Sequence, residues 1–195
     1  MPARTDRRIQ RTQQLLRTAL TSLIQEQGFE ALSVQDIIDR ANVGRATFYA
    51  HFDNKEDLLV TGLDELRASL KERQRQALSQ RTGADERLFA FSHDLFVHAD
   101  AHRVMFRAMV GKKSGAVIQQ LLHKMLVDLV RDDAKAMASG SNGALTPAES
   151  VVQFVAGGLL GLLMWWSDAR VRLSAEEMNR LFRRLAIPAV KAGLR

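Results

Sequence analysis

"NVGRATFYAHFDNKEDLL", residues 42–59, places three aromatic side chains and an imidazole within the five positions from Phe48 to Phe52. Arg45 and Thr47 are interleaved before them, and a charged Lys55-Glu56-Asp57 step follows. Phe48 and Phe52 are four apart, so on a helix they share one face. Arg45, Thr47, Tyr49 and His51 then point elsewhere. Two large apolar anchors would pin a very short helix to something larger, leaving its other faces for polar work.

The flanking sequence supplies that larger body. Leu16, Leu20, Leu23 and Ile24 make an apolar stripe on a first helix of about residues 7–27, which Gly28 ends. Phe29 and Leu32 anchor the connection. Ser33 caps a second helix, with Asp36 as the acid of a capping box and Val34, Ile37, Ile38 and Ala41 as its buried face. Asn42 stands where a left-handed residue is wanted. Gly44 opens a short third helix over about 45–51. Asn54 and Asp57 begin a fourth, with Leu58, Leu59, Leu63, Leu66 and Leu70 on its inner side.

Two short helices, 33–41 and 45–51, joined by a three-residue turn after a longer helix, match a helix-turn-helix. In that arrangement the second short helix lies in the major groove. Seven residues at about 1.5 Å each span about 10 Å, against a groove about 12 Å wide. Arg45, Thr47, Tyr49 and His51 are side chains that meet phosphates or base edges. Taken singly, His51 reads as a surface histidine and Tyr49 as core; the constellation favours the binding reading.

Residues 7–60 resemble the DNA-binding domain of the TetR family of bacterial transcription regulators. The resemblance rests on "GFEALSVQDIIDRANVGRATFYAHFDNKEDLL", Gly28 to Leu59, and most specifically on "TFYAHFDNKEDLL". It implies that Arg45, Ala46 and Thr47 lie where family members reach base edges or nearby phosphates, and that Tyr49 and His51 meet phosphates. Ser33 and Lys55, at the starts of the second and fourth helices, lie where the family clamps backbone phosphate, consistent with the attraction of helix N-termini for anions. Two positions depart from the family. The turn reads Ala41-Asn42-Val43-Gly44 where Ala-Gly-Val-Ser is usual, so no hydroxyl stands at 44. Ala50 replaces a longer polar side chain, leaving at most a thymine-methyl contact.

Beyond residue 60 the pattern stays helical, with helices expected at about 85–99, 102–110, 115–138, 147–169 and 174–192. The division is therefore a DNA-binding domain over 1–60 and a second domain over 61–195, all-α throughout. "SGSNGALTP" (139–147) is the clearest loop, and Thr146-Pro147 before Glu149 marks a helix start. "FVAGGLLGLLMWW" (154–166) is apolar all round and must be buried on most faces. At 13 residues the run is too short for a typical bilayer span. Gly157 and Gly161 would let another helix approach closely. With Leu181, Phe182, Leu185 and Val190 on the last helix, the segments 147–169 and 174–192 form a homodimer interface, as the resemblance also implies. Two-fold symmetry would set two recognition helices about 34–36 Å apart on a pseudo-palindrome.

Phe89, Phe96, Met105, Phe106, Met109, Met125, Trp165 and Trp166 are candidate walls of an effector pocket, although each taken alone is more often plain core. The resemblance implies a small, largely apolar effector there. His98 and His102, with His93, Asp94 and Asp100 nearby, raise a metal site. No firm third ligand supports it, and Asp100 reads equally as the cap of the next helix, so neither metal nor cofactor is expected.

The totals fit this reading. A chain of 195 residues, 46% hydrophobic and 26% charged, buries a real core. It has no cysteine and no signal-like h-region at its start, which points to the cytoplasm. The net charge of +6 (28 minus 22) is placed unevenly. Residues 1–20 hold five arginines (4, 7, 8, 11 and 17) and one acid, whereas residues 21–60 hold three bases and seven acids. A basic arm reaching phosphate or the minor groove is one reading and a solvated tail the other. No nucleophile elbow or phosphate-binding glycine loop is present, so a DNA-binding regulator, a repressor released by a small molecule, is expected rather than an enzyme. A ligand-sequestering protein, or a helical enzyme using His98 or His123, with a vestigial helix-turn-helix, stands as the alternative.

Overall fold

Each connection in the head of the chain is set by one or two residues. Gly28, at φ 82, ends the first helix, its N–H donating to the Ile24 carbonyl over 3.0 Å. Ser33 caps the second through a complete capping box with Asp36, and Asn42 closes it in the left-handed region at φ 50. Gly44 opens the third helix in extended conformation with no side-chain cap. The Asn54 side chain accepts the Asp57 N–H over 2.8 Å to start the fourth.

The computed structural model describes residues 3–80, 83–110, 116–139, 149–167 and 172–193. These residues contain ten helices and no strand: α1 (Ala3–Gln27), α2 (Val34–Ala41), α3 (Arg45–Tyr49), α4 (Lys55–Ser79), α5 (Ala84–Arg87), α6 (Phe91–Ala101), α7 (Arg103–Val110), α8 (Ala116–Ser139), α9 (Glu149–Trp166) and α10 (Ala175–Gly193). The loop expected at 139–147 with its Thr146-Pro147 helix start, and the side chains of Arg4 and Met109, lie outside the described residues.

Leu16, Leu20, Leu23 and Ile24 of α1, Phe29 and Leu32 of the connection, and Ile37, Ile38 and Ala41 of α2 are buried together with Phe48, Phe52, Leu58 and Leu59. α4 runs unbroken across residue 60, and its far end packs on α6 and α8. α1 also packs on α7. One continuous apolar cluster therefore joins the head to the body.

The structure corrects two expectations. The helix expected over 85–99 is two, because Phe89 adopts φ 59, a conformation a bulky residue takes only when its surroundings impose it. Here the buried carboxylate of Asp133 accepts the Phe89 N–H over 2.7 Å, and Ser92 Oγ donates to the Phe89 carbonyl over 2.7 Å. The apolar run at 154–166 belongs to an 18-residue helix, α9, whose mean hydropathy of 1.3 and length suffice to cross a bilayer. Its Val152, Val155, Ala156, Leu159, Leu163 and Trp166 are nonetheless buried within the chain, against α8 and α10. The opposite side carries Phe154 and Trp165, 70% and 50% exposed.

Burial raises the Asp133 carboxyl from its ordinary 3.8 to about 7, offset only in part by its bonds from Phe89 and Gln74. A carboxyl whose folded-state pKa is raised stabilises the fold when protonated, and that contribution is lost as pH climbs from about 4 through about 7. Three pH units correspond to about 4 kcal/mol. Asp133→Asn keeps an oxygen for the Phe89 N–H and should flatten this fall. Urea unfolding at pH 5 and pH 8 is expected to show the variant gaining on the parent at pH 8.

Candidate nucleic-acid interface and effector cavity

α3 is five residues long with a turn at Ala50 and His51, shorter than the seven expected. An isolated helix of that length has no stability of its own. Phe48, fully buried, fixes it from within, its ring 5.9 Å from that of Phe52. Phe52 N–H donates to the Phe48 carbonyl over 2.9 Å, closing the exit.

The outer side of α3 is polar and uncovered. Tyr49 is 46% exposed, with the Arg45 guanidinium 5.5 Å from its ring centroid, a cation–π distance that holds both side chains along one surface. Ala46 and Ala50 are exposed, while Thr47 and His51 are half-buried. Five of the residues singled out in the sequence thus come together on one short stretch, Arg45, Ala46, Thr47 and Tyr49 on α3 and His51 in the turn that follows.

Ser33 and Lys55 flank it but have internal partners. The Ser33 hydroxyl donates to Asp36 Oδ2 over 2.6 Å and accepts the Asp36 N–H over 3.2 Å. Its only proton faces a carboxylate that would repel phosphate. Lys55 Nζ donates to the carbonyls of Phe29, Glu30 and Leu32 over 3.0, 3.4 and 2.7 Å and lies 4.7 Å from the Phe29 ring centroid. It ties the start of α4 to the α1–α2 connection. Arg40 is likewise occupied, forming two 2.7 Å bonds to Glu26 and one to Ser22. Arg40, then Ser22, pull the Glu26 carboxyl down to about 2. Arg7, Arg8 and Arg11, considered above as a flexible arm, are exposed on the first turns of α1.

A cavity of about 520 Å³ lies between α1, α4, α6, α7, α8 and α9, within the usual size range for small-molecule sites. Of the expected walls, Met105, Phe106 and Met125 line it. Phe89, Phe96 and Trp166 are core instead: Phe89 packs on Phe91 and Phe182, and Phe96 on Trp166 and Phe182. Trp165 faces outward, since successive helical residues point about 100° apart and Trp166 takes the inward position.

His98 and His102 both line the cavity. His102 caps α6, its N–H donating to the His98 carbonyl, and the two rings lie 4.6 Å apart. Burial, then the neighbouring His102, push the His98 imidazole below its ordinary range. No group of three metal-ligating side chains occurs among the described residues.

The sequence reading missed the contribution of α1 and α4 to this cavity, above all Arg17, Thr21, Gly62 and Ser69. A signal was present: Arg17, Leu20, Thr21 and Ile24 fall at i, i+3, i+4 and i+7, the spacing of one inward helical face.

Comparison with known proteins agrees with this architecture. Residues 16–61 match the family described as bacterial regulatory proteins, tetR family, and residues 86–188 match the transcriptional regulator C-terminal region. The chain is 44% identical over 57 residues to YxbF of Bacillus subtilis (strain 168), an uncharacterized HTH-type transcriptional regulator. It is 40% identical over 48 residues to DhaS of Lactococcus lactis subsp. lactis, the HTH-type dhaKLM operon transcriptional activator. These stretches cover 29% and 25% of this chain, and 15% and 26% of those two relatives. The crystal structure of a TetR transcriptional regulator from Streptococcus agalactiae 2603V superposes with a TM-score of 0.66 at 24% identity, over 93% of this chain and 97% of that one.

The three carbonyls gathered by Lys55 give a direct test of its role within the fold. Lys55→Met should lower stability by about 1–3 kcal/mol, the usual cost of leaving partly buried polar groups unpartnered. Equilibrium urea unfolding measures this, and an unchanged midpoint would show that water replaces the ammonium at no cost.

Proposed function

Because the chain belongs to the TetR family of bacterial regulatory proteins, we propose that it acts as a homodimer on a pseudo-palindromic duplex site and is released from it by a small molecule. The observation that carries this reading is the outer surface of α3, where Arg45 and Tyr49 stand exposed beside a half-buried Thr47 on a helix anchored from behind. In this reading Arg45 and Thr47 meet base edges, Ala46 approaches the bases closely, and Tyr49 and His51 meet phosphates. Ser33 and Lys55 contribute chiefly the placement of their helix starts, whose N–H groups face the backbone. The protein works beside its DNA, in the cytoplasm, as a regulator rather than an enzyme.

The outward faces of α9 and α10 support the dimer. Phe154, Trp165 and Leu185 are 70%, 50% and 57% exposed, and large apolar side chains left uncovered on two adjacent helices favour an interface there. A Cβ added at Gly158 or Gly161 would meet nothing within 4 Å, so a facing helix has room to approach. Phe182 and Val190, assigned from sequence to this surface, are buried in the chain's own core; Leu185 remains on it.

Repression is the first reading and activation the second, the latter because the head resembles that of a protein described as an operon activator. For either, the cavity couples to DNA through α1 and α4, which line it and also frame α2 and α3. A ligand that favours one spacing of the two heads shifts the population toward it, and about 3 kcal/mol of preference changes DNA affinity by up to about 150-fold.

Selection of the purified protein against random duplexes at two salt concentrations is expected to recover a pseudo-palindrome. Thr47→Ala should alter the selected bases, and Tyr49→Phe should weaken all duplexes alike. Binding that is salt-sensitive but blind to sequence would refute the reading. Phe154→Arg should convert the dimer to monomer at micromolar concentration, as read by sedimentation velocity; an unchanged sedimentation coefficient would place the interface elsewhere.

A further inference from the structure

The cavity wall is largely aliphatic, with Leu20, Leu63, Leu122 and Leu160 among its residues, and Met105 and Met125 add adaptable thioethers. Arg17 of α1 stands against this wall, its side chain only 17% exposed. Its Nη1 pairs with Glu65, which is 65% exposed and sits at the rim. Its Nε is shielded from solvent and has no hydrogen-bond partner among the described residues. A shielded N–H without an acceptor carries an uncompensated desolvation cost, which a ligand oxygen would relieve.

The chemistry of that oxygen follows from the guanidinium. Its donors form a planar fork that receives a carboxylate through two parallel bonds. With Nη1 committed to Glu65, the edge formed by Nε and Nη2 is the one left for a second carboxylate. Burial, then the neighbouring His102, lower the His98 imidazole's affinity for a proton and so disfavour it as a second fixed cation. One unpaired guanidinium edge matches one carboxylate, and the aliphatic wall matches an uncharged body.

Resting on the ligand-responsive reading above, we infer that the cavity binds an amphiphilic monocarboxylate whose apolar body lies along the leucine and methionine wall and whose carboxylate takes the unpaired edge of Arg17. Because Arg17 belongs to α1 while Leu122, Met125 and Leu160 of the wall belong to α8 and α9, such a ligand joins the DNA-binding head to the body through its charged end. The acid group is then the part of the ligand that reports occupancy to the head.

The test compares octanoate with 1-octanol, identical in chain length, by calorimetric titration of the full-length protein. Octanoate should bind at least about tenfold tighter than the alcohol, the usual scale of a charge-assisted pair. Arg17→Met should erase that preference while leaving 1-octanol binding unchanged. Arg17→Lys, which keeps the charge and loses the fork, should retain part of it and serves if the Met variant folds poorly. Equal binding of acid and alcohol, no binding of either, or an acid preference that survives Arg17→Met would overturn the assignment. DNA affinity is measured in parallel. Octanoate that binds through Arg17 without changing DNA affinity would leave the site standing and defeat only the effector role.

Discussion

The structure depends on the burial of Phe48. A five-residue helix cannot persist by backbone hydrogen bonds alone, so the position and tilt of α3 are those its anchor dictates. Phe48 is fully enclosed, and it draws α3 onto a core built from α1, α2 and the first turn of α4. Removing a buried aromatic of this kind ordinarily costs about 3–5 kcal/mol. Everything polar on α3 is presented on the strength of that one inward contact.

Around it, charged side chains brace the head rather than reach outward. Arg40 locks α2 to α1 through Glu26 and Ser22, and Lys55 draws the start of α4 onto the carbonyls that follow Gly28. These ties make the head one rigid piece, so its orientation changes only as a unit with α1 and α4. Both of those helices border the cavity, and both meet elements of the body. The arrangement gives an occupant of the cavity direct purchase on the part of the molecule that carries α3, with no relay of intermediate elements.

The head was legible in the sequence because its signals are local. A glycine stop, a capping box, a left-handed Asn42 and the Phe48/Phe52 pair each act within a few residues, and α1 to α4 lie close to where those signals put them. The body was less legible because its deciding interactions are distant in the chain. Asp133 breaks a helix 44 residues away by capturing the Phe89 N–H, which no local pattern announces. Trp165 and Trp166 look equivalent in sequence, and only the packing of α9 between α8 and α10 decides which one turns inward. The cavity hid for the same reason: about half of its lining comes from α1 and α4, helices that begin in the head. Ser33 and Lys55 show a further limit, since a motif gives a residue's place but not the partner its side chain takes.

In the proposed dimer, a rigid head on each of two joined chains would fix the separation of the recognition helices. That fixed separation is tested most directly by taking the selected duplex and inserting about five base pairs, half a helical turn, between its two half-sites. Binding by the dimer should fall to the affinity of a single half-site, because the second α3 then faces the wrong side of the helix. Affinity indifferent to the insertion would contradict the account and show that the two heads read DNA independently.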